Sequence, residues 1–388
     1  MRENGDQALI AYTKKVDLID LDVNSLKITE KDIQRAYSKV SKDRVLAIRY
    51  AKKRIENFQK AVLKRLNFTW SDRSKGVKIR NVVRPIESVG CYVPGGDYPY
   101  PSSLLMSVIP AKVAHVPRIV VCSPPKKNQM VDPLVLVAAD ICGINEIYQI
   151  GGAQAISALA YGTKTINPVK KIVGPGNKYV TTAKILVSKE IAIDMPAGPS
   201  ELAILADDSA NPSFIALDLI SQLEHSKDSI SCLITNSIKI ANEVVLELER
   251  HILENRLKVN FEKCYIIVYK SISDAIDFVN NFAPEHLEIM CKNADNLISK
   301  ISSAGLILVG PYTPVSASDY CLGTNHILPT GGFAKIHSSL SAIDFVKRVS
   351  IVKCDKKSLR KMTKPVSILA NSEGFSNHAL ALEKRFQS

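Results

Sequence analysis

Two titratable residues stand side by side in the run Ala-Pro-Glu285-His286-Leu-Glu, after a predicted helix and before an apolar strand. Ligands of α/β proteins bind at junctions of this kind. Because neighbouring side chains on an extended segment point in different directions, Glu285 and His286 could serve two separate proton transfers. An ordinary polar loop would carry the same two residues, so the pair alone leaves both interpretations open.

A second pair that could do chemistry is Gln222 and His225, three residues apart in a predicted helix at 212–225. Residues at this spacing share one face of a helix, and zinc accepts imidazole nitrogen and oxygen donors. The pair therefore suits half of a zinc site. A histidine that only caps the carbonyls at the end of the helix would give the same pattern.

Two later segments each carry one carboxylate and one histidine. Residues 310–332 form a predicted loop rich in Gly, Pro and Thr that contains Asp319 and His326. Loops of this length inside compact enzymes are more often functional than not. Glu373 and His378 lie near the C-terminus, where a lone histidine is more typical of the surface than of a metal site.

The elements that must position these residues are short apolar strands alternating with helices. The strands are predicted at 118–122, 146–150 and 171–173 in a first series and at 201–205, 229–235, 265–269 and 306–309 in a second. Short strands that each lead into a helix indicate parallel sheets with right-handed crossovers. We therefore predict an α/β fold with two Rossmann-like units, neither of which contains the Gly-x-Gly-x-x-Gly fingerprint.

The flanking segments differ from this pattern. Apolar positions at helical spacing over 31–66 predict a long amphipathic helix with a break near Ser41, and 81–96 is predicted to be extended. Residues 341–388 are predicted to form a basic, helical tail. The tail is too small to hold a core of its own, so we expect it to pack on something else, such as a second subunit.

Composition places the chain among globular proteins. Of its 388 residues, 46% are hydrophobic and 23% charged, and this length predicts two or three domains. No run approaches the roughly 20 apolar residues of a membrane helix, and the N-terminus lacks the apolar core of a signal peptide, so we expect a cytoplasmic location. The eight cysteines include no Cys-x-x-Cys pair, which favours reduced thiols; Cys91 and Cys321, in Gly-rich loops, leave a nucleophilic role open.

The net charge of +13 raises the question of nucleic-acid binding. The lysines and arginines are spread over predicted helices such as 43–65 and over the C-terminal segment, without a basic tail or a nucleic-acid motif. Solvated helix faces explain this charge better, and a basic surface would also attract an anionic dinucleotide. We therefore predict neither a nucleic-acid partner nor a membrane partner.

Together, eight runs of the sequence resemble the histidinol dehydrogenase family, from the first residues of the chain to the last. The runs are Tyr92-Val-Pro-Gly-Gly, Gly-Gly-Ala-Gln154-Ala-Ile, Gly-Pro-Gly-Asn177, Asp-Met-Pro-Ala-Gly-Pro-Ser200-Glu, Ser-Gln222-Leu-Glu-His225, Ala-Pro-Glu285-His286-Leu-Glu, Asp319-Tyr-x-x-Gly-Thr-Asn-His326-x-Leu-Pro-Thr and Glu373-Gly-x-x-x-His378. Several are long and chemically unusual, and their joint occurrence in this order makes the resemblance specific. It favours the functional interpretation of each pair above.

The resemblance implies an enzyme that oxidises L-histidinol to L-histidine, the last step of histidine biosynthesis, in two NAD-dependent steps through the aldehyde and its hydrate. On the family pattern, His286 accepts the alcohol proton, a role that suits a histidine near its ordinary pKa of about 6.5. Glu285 then activates water for attack on the aldehyde.

The resemblance also implies three sets of ligand contacts. One zinc ion per subunit would be held by Gln222, His225, Asp319 and His378. Substrate contacts would come from Ser200, Gln222, His225, His286, Asp319, His326, Glu373 and His378. NAD contacts would come from Tyr92, Gln154 and Asn177 in place of the missing fingerprint, with backbone N–H groups of the helix after Asn177 facing an anion.

In terms of domains, the resemblance implies a catalytic domain of residues 1–91 and 202–340, an NAD-binding domain of residues 92–201, and the tail at 341–388. In the family this tail crosses to the partner subunit. We therefore expect a homodimer with composite active sites, in which Glu373 and His378 complete the site of the neighbour.

Two positions near Asp319 depart from the family pattern. Val315 stands where Glu is common and Ser318 where Gly is usual, which puts metal affinity and loop mobility in doubt. Two alternatives accompany the main interpretation: the same scaffold oxidising a different amino or hydroxy alcohol, and a catalytically silent binding protein. The presence of His326 and Glu373 favours histidinol, and the complete set of metal ligands and the Glu-His pair argue against a silent protein.

Overall fold

The computed structural model describes residues 1–66, 69–72, 76–95, 98–126, 130–196, 198–255 and 260–386 and confirms a mixed α/β fold. The elements up to residue 193 are α1 (Gly5–Asp17), α2 (Glu30–Tyr37), α3 (Lys42–Lys64), β1 (Thr69–Asp72), β2 (Val77–Pro85), β3 (Ser88–Tyr92), α4 (Pro101–Val113), β4 (Arg118–Cys122), α5 (Pro133–Ile141), β5 (Ile147–Tyr148), α6 (Gly152–Tyr161), β6 (Lys171–Val173), α7 (Lys178–Val187) and β7 (Ala192–Ile193). Those that follow are β8 (Glu201–Ala206), α8 (Pro212–Leu223), β9 (Ile230–Thr235), α9 (Ile238–Asn255), β10 (Cys264–Val268), α10 (Ile272–Phe282), β11 (His286–Met290), α11 (Ala294–Ile298), β12 (Leu306–Val309), α12 (Val315–Tyr320), β13 (Val346–Cys354), α13 (Lys356–Ser372) and α14 (Ser376–Glu383).

Two five-stranded parallel sheets form the centre of the fold. Sheet A has the strand order β5-β4-β3-β6-β7, and sheet B has the order β10-β9-β8-β11-β12. In each sheet the first strand lies in the middle, the next two extend to one side and the last two to the other, which is the order of a Rossmann unit. The two Rossmann-like units predicted from the alternation of strands and helices are therefore confirmed.

The strands of both sheets are apolar without alternation because helices cover both faces of each sheet. Every residue of β8 is buried. Leu202 and Ile204 pack into the core on one face of sheet B, and Ala203 and Leu205 pack into the core on the other. The strands predicted at 118–122, 171–173 and 306–309 have the predicted bounds.

The long helix predicted over 31–66 is divided at the expected place. Helix α2 ends at Tyr37, and Ser41 caps α3 by accepting a hydrogen bond from the backbone N–H of Arg44. The hydroxyl satisfies one of the free N–H groups in the first turn of α3 and thereby fixes where that helix begins.

The N-terminal helices pack against sheet A. Helix α1 lies on α6, while α2 and α3 lie on α5 and α4. Ile48 and Ile55 of α3 share a core with Val89 and Val121 of sheet A. This packing differs from the predicted grouping of residues 1–91 with sheet B, and β3 itself crosses the predicted boundary at residue 91.

The C-terminal segment was predicted to be helical throughout, but its first part forms a β-strand. Strand β13 pairs antiparallel with β2, which also pairs with β1, to form a third sheet. The prediction was wrong here because this pairing joins residues more than 260 positions apart, which no local pattern records. Helices α13 and α14 follow and pack mainly on each other, so the helical character predicted for the rest of the tail is confirmed.

Residues 310–345 connect sheet B back to the helices over sheet A. The short helix α12 lies within this predicted loop, and the buried Asn325 donates from Nδ2 to the carbonyl of Met106 in α4 at 2.7 Å. Phe345 is fully buried in the same core as α3 and α4. The segment that carries Asp319 and His326 is therefore anchored on both units.

Two further features bear on the composition. All eight cysteines are free thiols, as predicted. None of the helices in the described ranges combines the length and the hydrophobicity that a bilayer crossing requires.

Candidate active site

Glu285 and His286 lie at the amino-terminal edge of sheet B. His286 is the first residue of β11 and pairs with Leu202 of β8 on one side and Leu306 of β12 on the other. Open α/β sheets usually bind ligands at the carboxyl ends of their strands, so this site uses the opposite edge. It can do so because α8 runs antiparallel to the strands and brings the residues at its C-terminal end to this edge.

The Glu285 carboxylate is held by the neighbouring strand. Its Oε2 accepts a hydrogen bond of 3.0 Å from the backbone N–H of Glu201, and the Ser200 side chain also bonds to it. Glu285 is only 7% exposed. Burial raises its pKa well above that of an ordinary glutamate, which makes its carboxylate a stronger base than one in water.

The His286 imidazole lies between two carboxylates. Its Nδ1 is 3.8 Å from Glu285 Oε2 and its Nε2 is 3.8 Å from Asp319 Oδ1. The adjacent side chains of Glu285 and His286 therefore approach each other instead of diverging as expected. Burial lowers the pKa of His286 to about 4, and neither ring nitrogen has a hydrogen-bond partner within the described residues. The ring is thus neutral and can accept a proton.

Asp319 is the centre of this cluster. Its Oδ2 lies 3.6 Å from Nε2 of His225, and its backbone carbonyl accepts a 2.9 Å hydrogen bond from Nδ1 of His326. Burial raises the pKa of Asp319, but the hydrogen bond with His225 and the charges of the nearby histidines bring it below the ordinary value. Asp319 in turn raises the pKa of His225.

Gln222 of α8, three residues before His225, carries a buried polar group without a hydrogen-bond partner in the described residues. The side chain is fully buried, and neither its amide oxygen nor its amide nitrogen has a partner in the part of the chain that the structure describes. Buried amides are normally hydrogen-bonded. Gln222, His225 and Asp319 together offer oxygen and nitrogen donors of the kind that zinc accepts, so these three residues fit a metal ion.

The remaining predicted residues of this set, Glu373 and His378, lie elsewhere on the chain. Both side chains are exposed in the C-terminal segment, where the His378 ring contacts Phe375 with centroids 5.2 Å apart. Within the described ranges no group of three or more His, Cys, Asp or Glu side chains is arranged to hold a metal ion. One chain alone therefore brings together only part of the predicted zinc set.

The two departures from the family pattern fit into α12 without conflict. Val315 is buried, and its N–H donates to Oε1 of Glu288 at 2.8 Å. The Ser318 hydroxyl donates to the carbonyl of Val315, also at 2.8 Å. Both residues stabilise the helix that carries Asp319.

Three buried polar residues around the site were missed in the sequence. Burial raises the pKa of Glu288 in β11, and Asp218 of α8 hydrogen-bonds to it; burial also raises the pKa of Asp218, to about 6. Asn325 anchors the loop beside His326. The only signal was a polar residue within an apolar run, as in Leu-Glu288-Ile, and exposed residues give the same signal.

The three predicted NAD contacts line one cavity of about 1200 Å³ at the carboxyl edge of sheet A. Tyr92 ends β3, Gln154 lies in the first turn of α6, and Asn177 precedes α7. These positions flank the point where the strand order reverses, between β3 and β6. Dinucleotides bind at such a reversal in Rossmann units, so the structure brings the predicted set together in a suitable place.

One polar atom of each of these three side chains already has a hydrogen-bond partner. The Tyr92 hydroxyl accepts from the N–H of Gly152 at 3.1 Å, and Gln154 Nε2 donates to Asp17 at 2.9 Å. Asn177 Oδ1 accepts from the N–H groups of Tyr179 and Val180 at 3.1 and 3.2 Å. The side chain of Asn177 thus occupies two of the helix N–H groups that were expected to face an anion.

Comparison with known proteins identifies the family of this chain. The family model for histidinol dehydrogenase matches residues 1–386. The histidinol dehydrogenase of Archaeoglobus fulgidus is 41% identical over 391 residues, covering 100% of this chain and 93% of the relative, and that of Listeria innocua is 45% identical over 394 residues, covering 100% and 91%. A crystal structure of histidinol dehydrogenase from Elizabethkingia anophelis has a TM-score of 0.94 at 38% identity and covers 98% of this chain and 88% of that one. This chain therefore belongs to the histidinol dehydrogenase family.

Proposed function

We propose that this oxidoreductase converts L-histidinol to L-histidine in two successive NAD-linked oxidations, with one zinc ion per subunit and composite sites in a homodimer. The observation that carries the proposal is the position of His286 between Glu285 and Asp319. Two adjacent titratable groups whose pKa values burial shifts in opposite directions can hold different proton-transfer roles.

In the first oxidation, His286 accepts the proton of the substrate alcohol. Burial keeps the ring neutral, and neither ring nitrogen has a hydrogen-bond partner among the described residues. Both nitrogens are therefore free of competing bonds with these residues. The imidazolium that forms would be stabilised by the carboxylates 3.8 Å away on each side. Burial lowers the pKa of the ring to about 4 even though the charge of Asp319 raises it, so without Asp319 the ring would be a still weaker base, and this carboxylate is part of the machinery.

Between the two oxidations, Glu285 removes a proton from the water that adds to the aldehyde. Its raised pKa favours this transfer because a stronger base accepts the proton more readily. The hydrogen bond from Glu201 N–H to Oε2 holds the carboxylate in place for this transfer. His286 then accepts the proton of the hydrate in the second oxidation.

The metal set is proposed to consist of Gln222, His225 and Asp319 of one subunit and the partner subunit's His378. When bound, zinc would supply a positive anchor for the amine and imidazole nitrogens of the substrate, while NAD would supply the hydride acceptor. The buried amide of Gln222 supports this set, because neither its oxygen nor its nitrogen has a hydrogen-bond partner among the described residues. The exposed position of His378 supports a contribution to a neighbouring chain.

Substrate contacts are proposed for the same residues together with Ser200, His326 and the partner subunit's Glu373. Ser200 bonds to Glu285, and His326 is fixed by the carbonyl of Asp319. NAD is proposed to occupy the cavity lined by Tyr92, Gln154 and Asn177. The eight free cysteines support a reducing, cytoplasmic location.

The experiment supplies L-histidinol, NAD and zinc to the purified protein and follows the absorbance of the reduced nicotinamide. Turnover that a chelator abolishes and zinc restores supports the proposal. Turnover with another amino or hydroxy alcohol, and none with L-histidinol, would assign a different substrate to the scaffold.

A further inference from the structure

A buried ion pair holds one loop of the dinucleotide cavity. Lys184 of α7 and Asp194, just after β7, form a salt bridge with side chains only 3% and 1% exposed. The surroundings are apolar, since Ile172 and Val180 in the same region are fully buried. Ion pairs at such depth are often replaceable by apolar residues without loss of stability, so their presence points to a role in fixing a conformation.

Both charges bond to the same residue, Gly174. The Lys184 ammonium donates to the Gly174 carbonyl at 3.0 Å, and the Gly174 N–H donates to Oδ2 of Asp194 at 2.8 Å. Gly174 is the first residue of the Gly-Pro-Gly-Asn177 run and follows β6 directly. The ion pair therefore fixes the start of this loop through hydrogen bonds to the N–H and the carbonyl of Gly174.

The position that the pair enforces is one that few residues adopt. Gly174 has φ of +118°, and a Cβ at this residue would lie 2.1 Å from the carbonyl oxygen of Tyr92. The backbone of the loop therefore lies in close contact with the end of β3, with no room for a side chain at residue 174. Because Tyr92 and Asn177 both line the cavity, a shift of Gly174 would change the distance between two of its walls.

We propose that Lys184 and Asp194 are positioning residues for the dinucleotide, which set the place of the 174–177 loop in the cavity without touching the ligand. This inference rests on the proposed NAD site. It requires that loss of the pair weakens binding of the dinucleotide and leaves binding of L-histidinol and the turnover rate at saturating NAD unchanged.

The test is the double variant Lys184→Met/Asp194→Asn, which removes both charges and leaves none unpaired. We expect the dissociation constant for NADH, measured by fluorescence titration, to rise about tenfold or more, the loss expected when hydrogen bonds to charged groups disappear. The KM for NAD should rise with it, while kcat stays within about twofold, because uniform binding and not the transition state is affected.

The matched control is Arg118→Met/Glu146→Gln. This partly buried pair, with bonds of 3.0 and 2.8 Å, lies at the opposite edge of sheet A, where β4 begins. It should lower the melting temperature and leave NADH binding within about twofold of the wild type, since neither Arg118 nor Glu146 lines the cavity.

Gly174→Ala tests the loop from the other side and should weaken NADH binding with the ion pair intact. If the Lys184 and Asp194 double variant does not fold, Gly174→Ala is judged by the same criteria, because it displaces the 174–177 loop while both buried charges stay paired. The inference would be overturned if the folded Lys184→Met/Asp194→Asn variant bound NADH as tightly as the wild type, or if the control variant lost as much NADH affinity. In either case, turnover of L-histidinol by the wild type would still support the proposed function. Absence of NADH binding by the wild type would overturn both.

Discussion

Oε2 of Glu285 lies 3.8 Å from Nδ1 of His286, and burial moves the pKa values of these two sequence neighbours in opposite directions. It raises the pKa of Glu285 well above the ordinary value and lowers that of His286 to about 4. At neutral pH the imidazole is therefore a neutral acceptor, while the raised pKa makes the Glu285 carboxylate a stronger base than an ordinary glutamate. The proposed division of labour between them follows from this difference.

Replacing Glu285 with Gln should separate the two oxidations. The amide can keep the hydrogen bond from Glu201 N–H but cannot take a proton from water, so oxidation of added L-histidinaldehyde should fall by about 10²–10⁴. Oxidation of L-histidinol to the aldehyde should fall far less. Single-turnover kinetics with each substrate measure the two steps.

His286→Asn is the complementary variant. It should slow both hydride transfers by similar factors, because both release a proton from a hydroxyl group. Equal losses of the two steps in Glu285→Gln, as in His286→Asn, would contradict a separate role for the carboxylate.

The pH dependence of aldehyde oxidation should reflect the raised pKa of Glu285. The carboxylate must be unprotonated to act as a base, so the rate is lost as pH falls through the pKa in the folded protein. The acid limb should therefore lie at higher pH than the ordinary value of 4.5, and it should disappear from the residual rate of Glu285→Gln. An acid limb at or below 4.5 in the wild type would show that burial does not set this pKa.

The buried carboxyl pair of Asp218 and Glu288 should make folding stability depend on pH. Burial raises the pKa of Asp218 to about 6 from an ordinary value of 3.8, so between these values the folded chain binds more protons than the unfolded chain. Stability should then decrease as pH rises through this window. A shift of this size corresponds to about 2–3 kcal/mol at most.

Glu288→Gln tests this pair. Its amide oxygen can still accept from Val315 N–H and its amide nitrogen can donate to Asp218, so the variant should unfold at higher denaturant than the wild type at pH 8. The difference should shrink at pH 5. A wild type that gains stability steadily from pH 4 to pH 8 would contradict the raised pKa values.

Subunit complementation tests the composite site. In the oxidation of added L-histidinaldehyde, Glu285→Gln and His378→Ala should each be nearly inactive alone. Co-refolding them at equal amounts should restore about a quarter of the wild-type rate, because half of randomly formed dimers carry one intact site of two. If His378 served its own chain, mixing would restore nothing.

Local patterns were sufficient for most strands of the two parallel sheets, although β7, only two residues long, was not predicted. Apolar runs of about five residues followed by turns and helices mark them, and Ser41 marks the start of α3 through its side-chain cap. Helix α4 was not predicted, because nearly all of its positions are buried and apolar and its sequence therefore shows no helical periodicity. Strand β13 was not predicted, because it pairs with residues 77–85, which lie far away in the sequence.

The candidate site was predictable only as far as its residues occur in distinctive runs. Glu285, His286, Asp319 and His326 come together as expected. What the sequence could not give is the burial that shifts their pKa values, or the use of the amino-terminal edge of sheet B, because both depend on how distant elements pack. Asp218 and Glu288 lack a local signature for the same reason.

The most direct measurement of the central proposal is the stoichiometry of reduced nicotinamide per L-histidinol at completion, with zinc present and NAD in excess. Two successive oxidations at one site predict two equivalents of NADH and one of L-histidine, without accumulation of free aldehyde. One equivalent of NADH with release of the aldehyde, or no NADH at all, would contradict it.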